Sequence, residues 1–237
     1  GEFAEGDTPR GALLLLFSFV CMALGPIALA RPLHLRSWLG FFGPSHAALS
    51  DFLKVFRALA ILTAVLWLAL PQSFELRPGM PVGEWLRLLP LTVLAVLAQT
   101  ASEELAFRGY LQSQLAARFR SPLVWIVVPS ALFAYGHYAP DATSGNALLF
   151  VAIAFAFAVA AADLTARTGT LGAAIAFHLA NNLIAVAVTA LPGTLSGVAL
   201  YLYPFEASDV AAVPPLVALD LGVIGLSWLA ARLALRL

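Results

Sequence analysis

Seven long apolar stretches divide the chain, at about residues 11–30, 52–70, 85–120, 121–137, 146–167, 170–191 and 213–232. None alternates apolar with polar positions at a period of two, which argues against barrel strands. Runs near 20 residues match the length a helix needs to cross hydrocarbon. The punctuation falls between them. Pro78, Gly79 and Pro81 mark a loop over 71–83, and Pro140 to Gly145 form a turn-rich connection. Ser121-Pro122 opens the fourth stretch with proline in a first helical turn, and Pro192-Gly193 ends the sixth. Residues 31–51, with Pro32, Pro44, several aromatics and few acids, read as an interfacial segment. The third stretch differs from the rest, because its apolar run gives way to a polar helix expected to continue through Gln112 and Gln114 to Arg120. The expected fold is all-α: a polytopic transmembrane bundle of about seven to eight helices, with residues 1–237 as one transmembrane domain.

Composition agrees with this reading. The chain is 61% apolar and 11% charged, against about 45–50% and 25% for soluble domains. Formal net charge is zero, and no basic patch carries exposed aromatics, so a nucleic-acid partner is not expected. Cys21 is a lone cysteine in the first apolar run and allows no internal disulfide. The first run lacks a basic leader and a small-residue cleavage site, so it is read as a retained span. Gly1-Glu2-Phe3 has the look of a cloning remnant and is set aside. With the N-terminus outside, ten of the 13 lysines and arginines fall on the cytoplasmic side, and only Arg10, Arg77 and Arg87 fall outside. Twelve arginines to one lysine in an Ala- and Leu-rich chain is the usage of GC-rich bacteria. The expected location is therefore a bacterial inner membrane.

Candidate chemistry lies in the charged residues that the apolar runs carry with them. Ionisable side chains inside a membrane usually face protein or a water-filled cavity and often carry function. Glu103 and Glu104 end the run of 86–98. Arg108 follows Glu104 by four residues, in the favourable acid-before-base order. Glu103 points about 100° away round the helix and has no local cation, so its partner must come from another element. His34 and His46 fall in the interfacial segment and read as surface residues, whereas His137 and His178 fall on spans. His178 shares a helix face with Asn182, and Gly172, Ala176 and Ala180 leave room for a close neighbouring helix. Glu103 lies 18 residues before Ser121, about 27 Å of helix, and His137 about 23 Å beyond it. A helical hairpin would set the two at nearly one level. The fourth span must then stop part-way across, and residues 138–145 must climb to the outer face beside protein or water. Asp163 can pair with Arg167, while Asp220 finds no obvious partner.

Glu103-Glu104-x-x-x-Arg108, Phe133-x-x-x-His137 and His178-x-x-x-Asn182 resemble, in order and spacing, three motifs of the CPBP family of intramembrane proteases. These are the CAAX proteases and bacteriocin-processing proteins, among them the Ras-converting enzyme. The resemblance covers about residues 86–191. It implies an endopeptidase without a covalent intermediate, in which Glu103 and His137 activate water. His178 and Asn182 would bind the oxyanion, Glu104 and Arg108 would hold the helix, and Phe133 would pack the site. It also implies a membrane-bound or lipidated protein or peptide as substrate, whether a prenylated CAAX protein or a bacterial peptide under maturation or sorting. No cofactor and no metal are expected. Zinc is the alternative, since one Glu and two His make a possible three-ligand set, although H-E-x-x-H is absent. G-x-S-x-G is absent as well. A proton-coupled transporter or a catalytically silent scaffold are the non-enzymatic alternatives; the inverted repeats that would favour a transporter are not visible. Glu103, His137, His178 and Asn182 are expected to converge on one polar cavity.

Overall fold

The computed structural model describes residues 6–69, 74–193 and 195–237. Gly1-Glu2-Phe3 and part of the 71–83 loop lie outside the described residues. Helices α1 (Pro9–Ser18) and α2 (Val20–His34) form the first span, broken at Phe19. Helix α3 is Ser45–Ala69, α4 is Val82–Glu104, α5 is Ser113–Ala116 and α6 is Val128–Tyr135. Helix α7 is Pro140–Thr143, α8 is Ala147–Thr168, α9 is Gly172–Asn182 and α10 is Val213–Leu235. Among the described residues five helical segments are long and apolar enough to cross a membrane, and 123–135 and 172–188 are shorter apolar helices. Each corresponds to one of the seven stretches read from the pattern. The protein is an all-α polytopic membrane bundle.

Contacts between loops define its two ends. At one end the Leu171 amide donates to the Phe42 carbonyl, and the Thr170 hydroxyl donates to Asp51 at 2.9 Å. At the other, a three-stranded sheet of two-residue strands joins β1 (Arg77–Pro78), β3 (Tyr201–Leu202) and β2 (Thr189–Ala190), in that order. β1 runs antiparallel to β3, with Arg77 opposite Leu202, and β2 runs parallel to it. Here too the Asn146 amide donates to the Ala207 and Asp209 carbonyls at 3.0 Å, tying the 138–146 connection to the loop before α10. Most of the basic residues gather toward the first end. Arg108, counted among them on sequence, is instead 2% exposed and engaged inside the bundle.

Several expectations need correction. The polar helix after Glu104 is not a plain α-helix. Residues Leu105–Gln112 form a π-helical segment, and the helical end falls at Ala116 rather than Arg120. A second π segment, Leu183–Val188, follows Asn182 directly, so the sixth helix ends at Val188 and residues 189–190 become strand. A third, Leu123–Val127, opens the helix leading to α6. Such wide turns shift which side chains face inward, and they recur at functional sites. The 140–145 connection is also more ordered than a turn, containing α7 and a 3-10 turn at Ser144–Asn146.

The small-residue face of α9 packs on α3. A Cβ at Gly172 would overlap the Ala48 carbonyl, so the two backbones are as close as glycine allows. Ala173, Ala174 and Ala176 are fully buried beside Val55 and Phe177. Gly172→Ala must push α3 from α9, and an overpacking cost of about 1–3 kcal/mol is expected. Thermal unfolding in detergent measures it; an unchanged midpoint would show that the helices separate freely.

Candidate active site

Helix α4 carries the site and meets α9 in two rungs one turn apart. In the first, the Asn182 amide donates to Gln99 Oε1 at 3.0 Å. In the second, His178 Nε2 lies 3.6 Å from Glu103 Oε2. The sequence numbers rise along one helix as they fall along the other, so α4 and α9 are antiparallel here. Gln99 was not singled out in the sequence. It closes an apolar run, and its one legible signal is a position one turn before Glu103, on the same face.

The other carboxylate turns to the same imidazole. His178 Nδ1 lies 2.8 Å from Glu104 Oε1, and Arg108 Nη1 donates to that same oxygen at 3.0 Å. Glu104 is therefore bound not by Arg108 alone, as spacing suggested, but by Arg108 and His178 together. Arg108 Nη2 donates to the Ala158 carbonyl at 3.1 Å, and the Gln112 amide donates to Ala162 one turn along α8 at 3.0 Å. The face of α8 is all alanine there, which lets the π segment come close enough for side chains to reach backbone. Glu103, Glu104, Arg108 and His178 are each at least 95% buried. Burying charge at this depth demands pairing, and the contacts supply it. Among the described residues Glu103 Oε2 and Glu104 Oε2 accept no hydrogen bond. Glu104 thus commits Oε1 and keeps Oε2 free, while Glu103 Oε2 faces His178 beyond hydrogen-bond distance.

Phe133 is the hub between this cluster and α6. Its ring centre lies 5.3 Å from Phe107, 4.8 Å from His137 and 5.9 Å from His178. The Arg108 guanidinium sits 4.7 Å over the same ring, and Phe157 covers His178 from α8 at 4.7 Å. Phe107 faces Phe133, with Glu103 four residues before the one and His137 four residues after the other. His137 sits just past the end of α6, exposed, with Nδ1 3.0 Å from the Phe133 carbonyl. Donation from Nδ1 to that carbonyl leaves Nε2 as an acceptor. The structure thus joins Glu103, Glu104, Arg108 and His178 by direct contact. It reaches His137 across Phe133 and ties Asn182 to Gln99.

Two of the acids outside the site behave differently. Asp163 takes Arg167 at 2.7 Å and the Trp228 indole N–H at 3.0 Å, a surface clasp between α8 and α10. Asp220, on α10, has no hydrogen bond or ion pair among the described residues. Nor do three His, Cys, Asp or Glu side chains come together anywhere among the described residues in a way that could hold a metal ion.

No curated protein and no solved structure matches the chain significantly. One family model does match, the type II CAAX prenyl endopeptidase Rce1-like model, over residues 85–184. That interval begins in the first turn of α4, ends just after Asn182 and includes every residue of the cluster. Over residues 85–184 the chain is similar to the Rce1-like type II CAAX prenyl endopeptidases.

Proposed function

We propose that this protein is an intramembrane endopeptidase that hydrolyses a membrane-associated substrate with water activated at Glu103. One observation carries the reading. The buried Glu103–His178–Glu104–Arg108 chain lies wholly within the segment that matches the CAAX endopeptidase family. Charge counting supports the assignment of roles. Two carboxylates and one guanidinium leave one net negative charge, and carrying His178 as imidazolium makes the cluster neutral. Nδ1–H then donates to Glu104, and Nε2–H faces Glu103. Glu104 and Arg108 act as positioning residues, holding the imidazole in register.

In the reaction, His137 Nε2 orients a water molecule and Glu103 removes its proton as the water oxygen bonds to the scissile carbonyl carbon. Protonation cancels the charge on Glu103, so the Nε2–H of His178 turns to the oxygen on which charge develops. Asn182 has a second amide hydrogen beyond the one given to Gln99, and it adds a donor. Collapse of the tetrahedral species breaks the C–N bond. The proton held by Glu103 passes to the leaving nitrogen, giving a carboxylic acid and an amine, and the acid's remaining proton then moves to the amine to leave a carboxylate and an ammonium group. Every step uses side chains of this chain, without a metal and without an acyl-enzyme. The substrate class is a membrane-bound or lipidated protein or peptide, and the basic end of the bundle is the cytoplasmic end.

Reconstituted protein is expected to cut membrane-anchored peptides at discrete bonds, read by mass spectrometry, with prenylated and unmodified C-termini compared side by side. Asn182→Ala should lower kcat by about 10²–10³-fold, the cost of one oxyanion donor. An Asn182→Ala enzyme with unchanged kcat would remove Asn182 from this role. Uncut peptides throughout would count against the endopeptidase reading.

A further inference from the structure

A cavity of about 330 Å³ opens at the basic end of the bundle, and Arg108 of the cluster is part of its lining. Its rim is exposed at Gly40, Ala116 and Ala166, and its floor is buried at Phe41, Arg108 and Gln112. Two polar atoms of its lining are buried without a hydrogen-bond partner among the described residues: Gln112 Oε1 and Thr165 Oγ1. Gln112 is 4% exposed, and its amide nitrogen is already spent on Ala162. Its free oxygen therefore wants a donor, while the Thr165 hydroxyl can both give and accept. Buried polar atoms left unpaired cost about 1–3 kcal/mol each. A cavity this size has room for several waters at about 30 Å³ apiece.

We propose that this cavity is a hydrated vestibule, holding water on Gln112 and Thr165 and passing it along Arg108 to the carboxylate–imidazole cluster. The idea rests on the hydrolase reading, because an endopeptidase consumes one water for each bond cut. In a bundle whose outer face is lipid, that water needs a polar way in. Water suits this lining better than a cation does, since Arg36 and Arg108 both border it.

The test places a thiol at the buried hydroxyl. Thr165→Cys in a Cys21→Ala background is treated with a small membrane-impermeant thiosulfonate reagent, with Ala116→Cys at the rim as reference. A thiol reacts as thiolate, which needs water around it. Thr165→Cys is expected to label within about tenfold of the rim rate. Rim labelling with an inert Thr165→Cys would show a dry cavity and overturn the proposal. Labelling suppressed by millimolar inorganic phosphate or acetate would make the cavity an anion site, and would also overturn it. Ser113→Cys, on the same lining, serves if Thr165→Cys does not fold. None of these readouts uses proteolysis, so they stand even if the peptidase reading fails. For the supply role, Ala116→Trp should block labelling of Thr165→Cys and lower kcat by about tenfold with KM held. Blocked labelling with unchanged kcat would show that water reaches Glu103 by another way.

Discussion

Replacing Arg108 by alanine is expected to remove most of the folded protein from the membrane fraction, through a loss of about 3–5 kcal/mol. The size of the effect follows from what is left behind. Arg108 is 2% exposed and gives one N–H to Glu104 and another to the Ala158 carbonyl, and its guanidinium lies on the Phe133 ring. Its removal strands Glu104, which is fully buried, with His178 as its sole remaining partner among the described residues. Taking away both ends of the pair is a different experiment. A Glu104→Gln, Arg108→Met double variant leaves no unpaired charge and is expected to recover much of the yield. His178 would lose its anchor in that background and activity should stay low. Yield by fluorescence-detected size exclusion, with unfolding midpoints on what survives, separates the two effects. A single Arg108→Ala variant that folds normally would show that the pair contributes nothing to holding the bundle.

Glu103→Gln is expected to lower kcat by about 10²–10⁴-fold, the span that a general base contributes, with the fold intact. Glutamine preserves shape and keeps a donor and an acceptor. It cannot take a proton from water. Glu103 is the better candidate for this step because Glu104 Oε1 already accepts from Arg108 and His178, whereas Glu103 meets His178 only at 3.6 Å. Glu104→Gln should act differently, lowering stability as well as rate, since it weakens an ion pair and lets the imidazole turn. The contrast between the two neighbours is the informative result. If both variants lost activity with equal loss of stability, the separation into base and anchor would fail.

The spans and their order were legible because seven apolar runs separated by Pro, Gly and charge have few other solutions. The Glu104–Arg108 contact was legible because it is local. His178 as a second partner of Glu104 was not, since the two lie 74 residues apart and no periodicity links them. The Gln99–Asn182 rung was hidden for the same reason, and because a glutamine at the edge of an apolar run reads as the run's end. The π segments after Glu104 and Asn182 leave no mark in composition. They change how far each residue rotates, which a pattern of apolar and polar positions cannot resolve over eight residues or fewer. Strands of two residues are below any alternation that could reveal them. Arg108 misled the charge count because a buried arginine and a loop arginine look alike in sequence.

Single-turnover cleavage by reconstituted protein, after exhaustive chelation and with metal content measured on the same sample, separates water activation by Glu103 from activation by a bound metal. Wild type is expected to cut its peptide at the unchelated rate with far less than one metal per chain, while Glu103→Gln under the same conditions cuts at most a hundredth as fast, on the order of the loss of a general base. Cleavage that vanishes with the chelator and returns with one equivalent of zinc, or Glu103→Gln protein as active as wild type, would contradict the assignment of Glu103 as the base that activates water.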